Sequence, residues 1–277
     1  MEPSDGAPAA SSPFPEPRID TPSTVATKQT KICVYCGSSA GTRPEHIEAA
    51  RALARAMAAN NIALGESYAV ALLTYSPPPT PPRRELTPLT HPVYGGGTVG
   101  LMGEVAKTLV SLSGPDAVHG IIPEALVRYE RDPTYTSKQL NGATGAHMAV
   151  PEEAVFGRTT IVRDMHTRKR LMAQEVIEGG PGSGFLALSG GYGTIEELFE
   201  TATWNQLGIH NKGICVLNIN GFYDGILAWI NKSGEEGFIH GDNKRILAEA
   251  KTAEEAIAAL RDYKVSEAVY KLSWSNQ

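Results

Sequence analysis

The sequence has few cysteines, lacks a long apolar run and carries no excess of positive charge. Three cysteines among 277 residues cannot form a disulfide framework, so we expect a reducing, cytoplasmic setting. No apolar run reaches the roughly 18 residues that a membrane helix needs, which argues against a membrane protein. Lysine and arginine number 25 against 30 acidic residues, and the formal net charge of −5 argues against a nucleic-acid partner, which would favour a basic surface.

The first 30 residues differ in composition from the rest of the chain. They are rich in proline, serine, alanine and threonine, show no hydrophobic periodicity and contain no apolar stretch typical of a secretion signal. We predict a disordered leader at 1–30. Hydrophobic residues make up 42% of the chain, enough to bury a sizeable core, and we predict a single domain at 31–277.

Short apolar runs alternate with segments of helical periodicity along this domain. Strands are predicted at 32–36, from 62, and at 117–122, 154–162, 185–188 and 214–219; helices are predicted at 43–60, 99–112, 165–177, 194–207, 223–232 and 252–261. Such alternation is typical of βαβ units, whose strands form a parallel sheet covered on both faces. The predicted fold class is therefore α/β, a doubly wound and mostly parallel Rossmann-like sheet.

A proline-rich stretch of 28 residues, 65–92, interrupts this pattern. Prolines at this density do not fit a central strand or a helix, so the stretch would loop out at a strand edge or disrupt the sheet. Codons for its first residues can contain a splice donor, and codons at its end can follow a splice acceptor. We therefore hypothesise a retained intron, whose removal would join Leu64 directly to Val93.

Three glycine-rich loops follow predicted strands and open into helices. Glycine lets the backbone approach an anion closely, and a helix start offers unpaired N–H groups. Each loop alone is equally compatible with a tight turn, but three at successive strand ends favour a phosphate-bearing ligand. Neither dinucleotide-binding nor P-loop spacing is satisfied, and no metal-ligand spacing or Ser–His–Asp order stands out. The candidate phosphate-binding residues are Gly37, Ser38, Gly95, Gly96 and Gly97, with the third loop at 190–194.

Two charged side chains near the glycine loops have both a structural and a functional interpretation. Thr194 and Glu197 have the spacing of a capping box, but Glu197 could also face a sugar and stabilise positive charge at its anomeric carbon. Arg168 could belong to a solvated basic helix end, or it could bind phosphate or the departing base. Cys33 and Cys36 have redox-like spacing but lie on a predicted buried strand, which favours a structural role.

Five segments in this order resemble the LONELY GUY (LOG) family of cytokinin riboside 5′-monophosphate phosphoribohydrolases, which are often misannotated as lysine decarboxylases. The segments are 33–39, 94–103, 164–169, 190–197 and 203–210, and the resemblance extends over nearly all of 31–260. It implies a Rossmann-like fold, a homodimer and hydrolysis of the bond between a base and ribose 5-phosphate without a cofactor. One departure is Ser189, which replaces the proline of the family's motif. Another is the longer glycine-rich stretch at 178–184.

The resemblance also assigns roles to residues of this sequence. It places the catalytic arginine at Arg168 and the catalytic glutamate at Glu197. The substrate-binding positions that it implies are Glu130, Lys169, Gly191, Tyr192, Gly193, Thr194, Ile195, Glu196 and Thr203.

The expected substrate is a cytokinin riboside 5′-monophosphate, with AMP left open. The alternative is a non-catalytic nucleotide-binding module on the same fold. A third interpretation is an inactive product, if 65–92 is translated and breaks the fold. A pyridoxal-phosphate lysine decarboxylase is disfavoured, because no lysine lies in a context that suggests a Schiff base.

Overall fold

The computed structural model describes residues 28–72, 93–127, 136–139, 147–270 and 272, and of 61–72, 136–139 and 147–148 it describes the backbone alone. The strands are β1 (Ile32–Tyr35), β2 (Val93–Tyr94), β3 (His119–Pro123), β4 (Thr136–Gln139), β5 (His147–Val150), β6 (Arg158–Val162), β7 (Gly184–Ala187), β8 (Gly213–Leu217) and β9 (Leu247–Ala250). The α-helices are α1 (Pro44–Leu72), α2 (Gly100–Ser113), α3 (Glu124–Val127), α4 (Glu153–Phe156), α5 (Met165–Glu178), α6 (Tyr192–Gln206), α7 (Asp224–Glu235) and α8 (Ala253–Arg261). Short 3₁₀ turns occupy 115–117, 219–221 and 241–245.

Seven of the described strands form one parallel sheet in the order β6-β3-β2-β1-β7-β8-β9. From β1 the chain moves outward through β2, β3 and β6, and it then returns to place β7 on the other side of β1. Ligands of open α/β sheets bind at such a switch point, beyond the carboxyl ends of the strands. The predicted α/β fold with a mostly parallel sheet is confirmed, and the topology directs attention to the loops after β1 and β7.

Helices cover both faces of this sheet, because alternate side chains of a strand point to opposite faces. Ile32 and Val34 of β1 belong to a core cluster with α1, α2 and α8. Cys33 and Tyr35 belong to a second cluster with α5 and α6. Every residue of β1, β7 and β8 is buried, as expected of central parallel strands.

The strand predicted from residue 62 is wrong, because α1 continues through this position to Leu72. Asn60 does not end the helix; its side-chain amide donates to the Ala56 carbonyl oxygen within the same helix, at 2.8 Å. The residues that follow include alanine, leucine and glutamate, which favour helix, and no proline occurs before Pro77. Among the residues that the structure describes, only Val93–Tyr94 pairs with β1 on this side of the sheet. The proline-rich remainder, 73–92, lies outside the described residues, as does 1–27 of the predicted leader.

One further prediction needs correction, and three strands were not predicted. The strand predicted at 154–162 begins only at Arg158, because α4 precedes it and Gly157, with φ of +81°, separates the two elements. The sequence also gave no indication of β9 or of the antiparallel pair β4–β5. The residues of β9, Leu-Ala-Glu-Ala, favour helix when taken alone, and their pairing with β8 overrides that preference.

Candidate functional site

The loops after β1 and β7 meet at the carboxyl edge of the sheet. The Gly37 amide donates to the Ser189 carbonyl oxygen at 3.0 Å, and the Leu101 amide at the start of α2 donates to the Gly37 carbonyl oxygen at 3.1 Å. Gly100, with φ of +61°, has to be glycine here, because a Cβ would lie 2.3 Å from the Ser38 carbonyl carbon. The contacts hold the β1 loop between two other segments.

A pocket of about 300 Å³ opens beside these loops. It is lined by Val34, Tyr35, Cys36, Gly37, Ser38, Met102, Met165, Arg168, Gly191, Tyr192, Gly193, Thr194, Glu196 and Glu197. The lining therefore combines apolar side chains, the start of α6, one cation and two carboxylates. We call it the site pocket.

Arg168 reaches the site pocket from the first turns of α5. Asp164 caps this helix, because its carboxylate accepts a hydrogen bond from the Thr167 amide at 2.8 Å. The Arg168 residue is only 7% exposed, and its Nε has no hydrogen-bond partner within the described part of the chain. Its guanidinium lies against Gly95, where a Cβ would be 1.7 Å from Nη2. A buried guanidinium with an unused donor is an unusual and costly arrangement.

Glu197 faces Arg168 from the second turn of α6. The two side chains are 4.0 Å apart, Oε1 to Nη2, so they form an ion pair without a hydrogen bond. Glu197 is 8% exposed, and this burial raises the pKa of its carboxyl, although the positive charge of Arg168 opposes the shift. A carboxylate and a cation are thus held together with hydrogen-bonding capacity left for a ligand.

The start of α6 provides backbone donors at the same pocket. The N-cap is Gly191, which has no side chain to cap the helix, and α6 begins at Tyr192. The capping-box interpretation is therefore wrong, because it needs Thr194 at the N-cap and Thr194 is the third residue of α6. The Thr194 side chain instead packs against Gly190, where a Cβ would lie 2.1 Å from Oγ1. The amide N–H groups of the first turn remain available to an anion.

Of the other candidate residues, some line the site pocket and some do not. Gly37, Ser38, Gly191, Tyr192, Gly193 and Glu196 line the site pocket; Gly95, Gly96, Gly97, Lys169, Ile195 and Thr203 do not; Glu130 lies outside the described residues. A Cβ at Gly96 would lie 2.9 Å from Ile122, so this glycine packs against β3.

Lys169, Ile195 and Thr203 make contacts other than with the site pocket itself, whose lining does not include them. Lys169 binds Glu196 at 2.5 Å and Glu200 at 3.2 Å, and these contacts outweigh the effect of burial to raise its pKa. Ile195 packs against the hydrophobic core. The Thr203 hydroxyl donates to the Phe199 carbonyl oxygen, and Thr203 lines a smaller cavity of about 160 Å³ beside Trp229.

The two cysteines with redox-like spacing are both buried free thiols. Burial raises the pKa of the Cys33 and Cys36 thiols, which is the opposite of what a reactive thiolate needs. Cys36 nevertheless lines the site pocket, together with Tyr35 and two methionines. Sequence analysis did not identify these apolar lining residues. Their positions at the end of β1, directly after it and at the starts of α2 and α5 are the signal that could have indicated them.

Comparisons with known proteins identify the family of the chain. The family model described as "Possible lysine decarboxylase" matches residues 102–260. A bifunctional cytokinin biosynthesis protein of Fusarium pseudograminearum is 48% identical to this chain. The match covers 84% of this chain and 40% of that relative's length. A rice relative (Oryza sativa subsp. japonica) named "Probable cytokinin riboside 5′-monophosphate phosphoribohydrolase" is 37% identical over 88% of this chain and 85% of its own.

Among solved structures, the molybdenum cofactor carrier protein of Chlamydomonas reinhardtii is 14% identical, with a TM-score of 0.48. The match covers 84% of this chain and 97% of that one. The family model matches more than half of the chain, and the rice relative is matched over most of both lengths. The chain therefore belongs to the LONELY GUY (LOG) family, whose named members are cytokinin riboside 5′-monophosphate phosphoribohydrolases.

Proposed function

We propose that this protein hydrolyses the N-glycosidic bond of cytokinin riboside 5′-monophosphates, releasing the free base and ribose 5-phosphate. The observation that carries the proposal is the pairing of Arg168 and Glu197 at 4.0 Å in a pocket at the switch point of the sheet. The name of the rice relative supports the substrate class.

The 5′-phosphate binds at the start of α6 in this proposal. The amides of Tyr192, Gly193 and Thr194 belong to the first turn of an uncapped helix, and all three residues line the site pocket. They offer hydrogen-bond donors and the positive end of the helix dipole. The unused Nε donor of Arg168 adds a charged group to the same pocket.

Glu197 acts on the sugar. As the bond to the base breaks, positive charge develops at the anomeric carbon, and a nearby carboxylate stabilises it. Glu197 then orients the water that attacks this carbon, so the water oxygen becomes the new hydroxyl of ribose 5-phosphate. The positive charge of Arg168 opposes the rise in the Glu197 pKa that burial causes, and Arg168 positions the phosphate or the base.

A pyridoxal-phosphate decarboxylase, which the description of the family model suggests, does not fit the site pocket. This chemistry needs a lysine that forms a Schiff base with the cofactor. No lysine lines the site pocket among the described residues, and the Lys169 ammonium is held in ion pairs with Glu196 and Glu200.

The proposal extends to a homodimer in the cytoplasm, with 31–277 as the catalytic domain. What supports a dimer is the family resemblance together with the position of Thr203, an implied substrate-binding residue that lies away from the site pocket of its own chain. Within the described residues, no helix is both long and apolar enough to cross a membrane. Sedimentation analysis of the purified protein tests the dimer.

Product analysis tests the activity. The protein is incubated with isopentenyladenosine 5′-monophosphate, AMP and the corresponding nucleosides, and free base and ribose 5-phosphate are quantified by chromatography. We expect base release from the monophosphates and little from nucleosides, which lack the group that binds α6. Equal release from nucleosides, or none from any nucleotide, would contradict the proposal. A parallel form without 65–92, together with the transcript sequence, tests the intron hypothesis.

A further inference from the structure

A second pocket, of about 460 Å³, adjoins the site pocket and has no part in the proposed hydrolysis. The two pockets share Gly37, Ser38 and Gly191 in their walls. The remaining wall comes from the β1–α1 loop up to Thr42, from His46 and Leu101, from the β7–α6 loop and from Phe222. No aspartate, glutamate, lysine or arginine belongs to this wall within the described residues. The pocket therefore suits a neutral molecule.

Ser189 and His46 form a hydrogen-bonded pair in the wall of this pocket. The Ser189 Oγ lies 2.9 Å from the His46 Nδ1. In the tautomer with its proton on Nε2, the imidazole accepts the serine proton at Nδ1. Ser189 is 6% exposed and stands where the family's motif has proline, so its hydroxyl is a feature that this sequence adds to the fold.

The surroundings hold the imidazole against Ser189. His46 lies in the first turn of α1, and its Cδ2 would be 3.3 Å from a Cβ at Gly41. Phe222 packs edge-on against the ring, with centroids 5.7 Å apart. A serine beside a fixed base is the arrangement that activates a hydroxyl nucleophile.

Backbone donors follow the serine directly. Gly190 and Gly191 line the pocket, and their amides make no hydrogen bond within the described part of the chain. In hydrolases with a serine between a strand and a helix, the amide after the serine stabilises the oxyanion. Ser189 has the same location, two residues after β7 and three before α6.

We propose that Ser189 and His46 form a second catalytic site, which hydrolyses small neutral acyl esters. The Ser189 oxygen attacks the ester carbonyl carbon while its proton passes to the His46 Nδ1. The ester C–O bond breaks, and the leaving alcohol takes the proton from Nδ1. Water then attacks the acyl-serine, which releases the carboxylic acid and regenerates the hydroxyl.

The lining of the pocket restricts which acyl groups can bind. The rate is limited because no carboxylate among the described residues orients His46. Ala40, Leu101 and Phe222 offer apolar surface, so the acyl group is short and uncharged. No carboxylate bonds to the His46 Nε2 in the described residues, whereas serine hydrolases orient their histidine in this way. The substrates are therefore activated esters such as aryl esters and thioesters, rather than amides.

The test uses the full-length protein and p-nitrophenyl acetate. Release of p-nitrophenolate is followed by absorbance, and the acylated residue is located by peptide mass spectrometry at short times. We expect one acetyl group on Ser189, and release that falls by about 100-fold or more in Ser189→Ala and in His46→Ala. The matched control is Ser111→Ala, which removes an exposed hydroxyl on α2 that does not belong to this wall and should leave the rate unchanged.

Two further variants separate this site from the nucleotide site. Ser189→Pro restores the family's residue and costs no described backbone hydrogen bond, so it should lose ester hydrolysis and keep nucleotide hydrolysis, which also shows that it folds. Glu197→Gln should keep ester hydrolysis. Absence of acylation, acylation of another residue, or Ser189 acylation at full rate in His46→Ala would each overturn the proposal.

Discussion

Each end of the sheet carries a cluster of charged side chains, buried at the carboxyl end and partly buried at the amino end, and α5 contributes to both. At the carboxyl end, Arg168 and Glu197 approach only to 4.0 Å. Near the amino end, Glu175 accepts from His119 at 2.6 Å and pairs with Lys31 at 3.1 Å. Arg168 and Glu175 are seven residues apart on one helix, about 10 Å along its axis. One helix therefore anchors a loosely bonded cluster and a fully bonded one.

The pKa values of the two glutamates differ because their partners differ, although burial acts on both in the same direction. Burial raises the pKa of both carboxyls. At Glu175, hydrogen bonds from His119 and Lys31 outweigh burial and lower the pKa to about 2. At Glu197, Arg168 only partly offsets burial, and the pKa remains raised. The comparison indicates that the amino-end cluster stabilises the fold, whereas the carboxyl-end pair leaves its bonding capacity to a ligand.

Removing the cation from the loosely bonded pair should have the largest effect. We expect Arg168→Gln to lower turnover of a cytokinin riboside 5′-monophosphate by about 1,000-fold, because a preorganised charge in a buried site is lost. Steady-state kinetics with chromatographic detection of the free base measure this. The matched variant Glu175→Gln, at the other end of the sheet, should keep turnover within a few-fold; similar losses in both would remove the distinction between the clusters.

A substitution at Gly95 tests whether the position of Arg168 matters, because the Arg168 guanidinium lies against this glycine. A Cβ there would be 1.7 Å from the Arg168 Nη2, so Gly95→Ala displaces the guanidinium and should lower turnover by about 100-fold. Gly225→Ala, where a Cβ meets nothing within 4 Å, is the control.

A double-mutant cycle separates positioning from general damage. If Gly95 acts through Arg168, Gly95→Ala should cost little further activity in the Arg168→Gln background. Additive losses would show that Gly95 acts in some other way.

Much of this arrangement follows from sequence, and some of it does not. The glycine loops, the predicted helices at 165–177 and 194–207 and the alternation of strands and helices place Arg168 and Glu197 at one edge of the sheet. The pairing of β9 was missed because contacts with β8 override the helical preference of its residues. The continuation of α1 past Asn60 was missed although the residues that follow favour helix, because the helix was predicted to end at residue 60. The Ser189–His46 contact joins residues 143 positions apart, and only the folded chain brings them together.

The fully bonded cluster should respond in stability rather than in activity. Glu175→Gln should lower the free energy of unfolding by about 2 kcal/mol near pH 7, because His119 and Lys31 lose their shared anion. The pKa of Glu175 is lower in the folded state than in the unfolded state, so its contribution is present above about pH 4.5 and declines as the pH falls towards 2. Urea unfolding at several pH values should show the difference from wild type narrowing over that range; a constant difference would contradict this assignment.

The pH profile should show the smallest effect. Nucleotide hydrolysis needs ionised Glu197, so activity is lost as the pH falls through its raised pKa, at higher pH than for an ordinary glutamate. Lys169 also lowers the pKa of Glu197, and Lys169→Met should therefore move the acid limb of turnover further towards neutral pH. Lys232→Met, which removes an exposed pair on α7, should leave the limb in place. A limb that stays fixed in Lys169→Met would contradict the proposed role of Glu197.

The most direct test of the loosely bonded pair as the catalytic centre is a single preparation of Glu197→Gln, assayed for nucleotide binding by calorimetry and for base release in a single turnover. Glutamine keeps the size of the side chain but cannot stabilise positive charge at the anomeric carbon. We predict unchanged affinity for the nucleotide and base release slowed by about 1,000-fold. Base release at the wild-type rate would contradict the account.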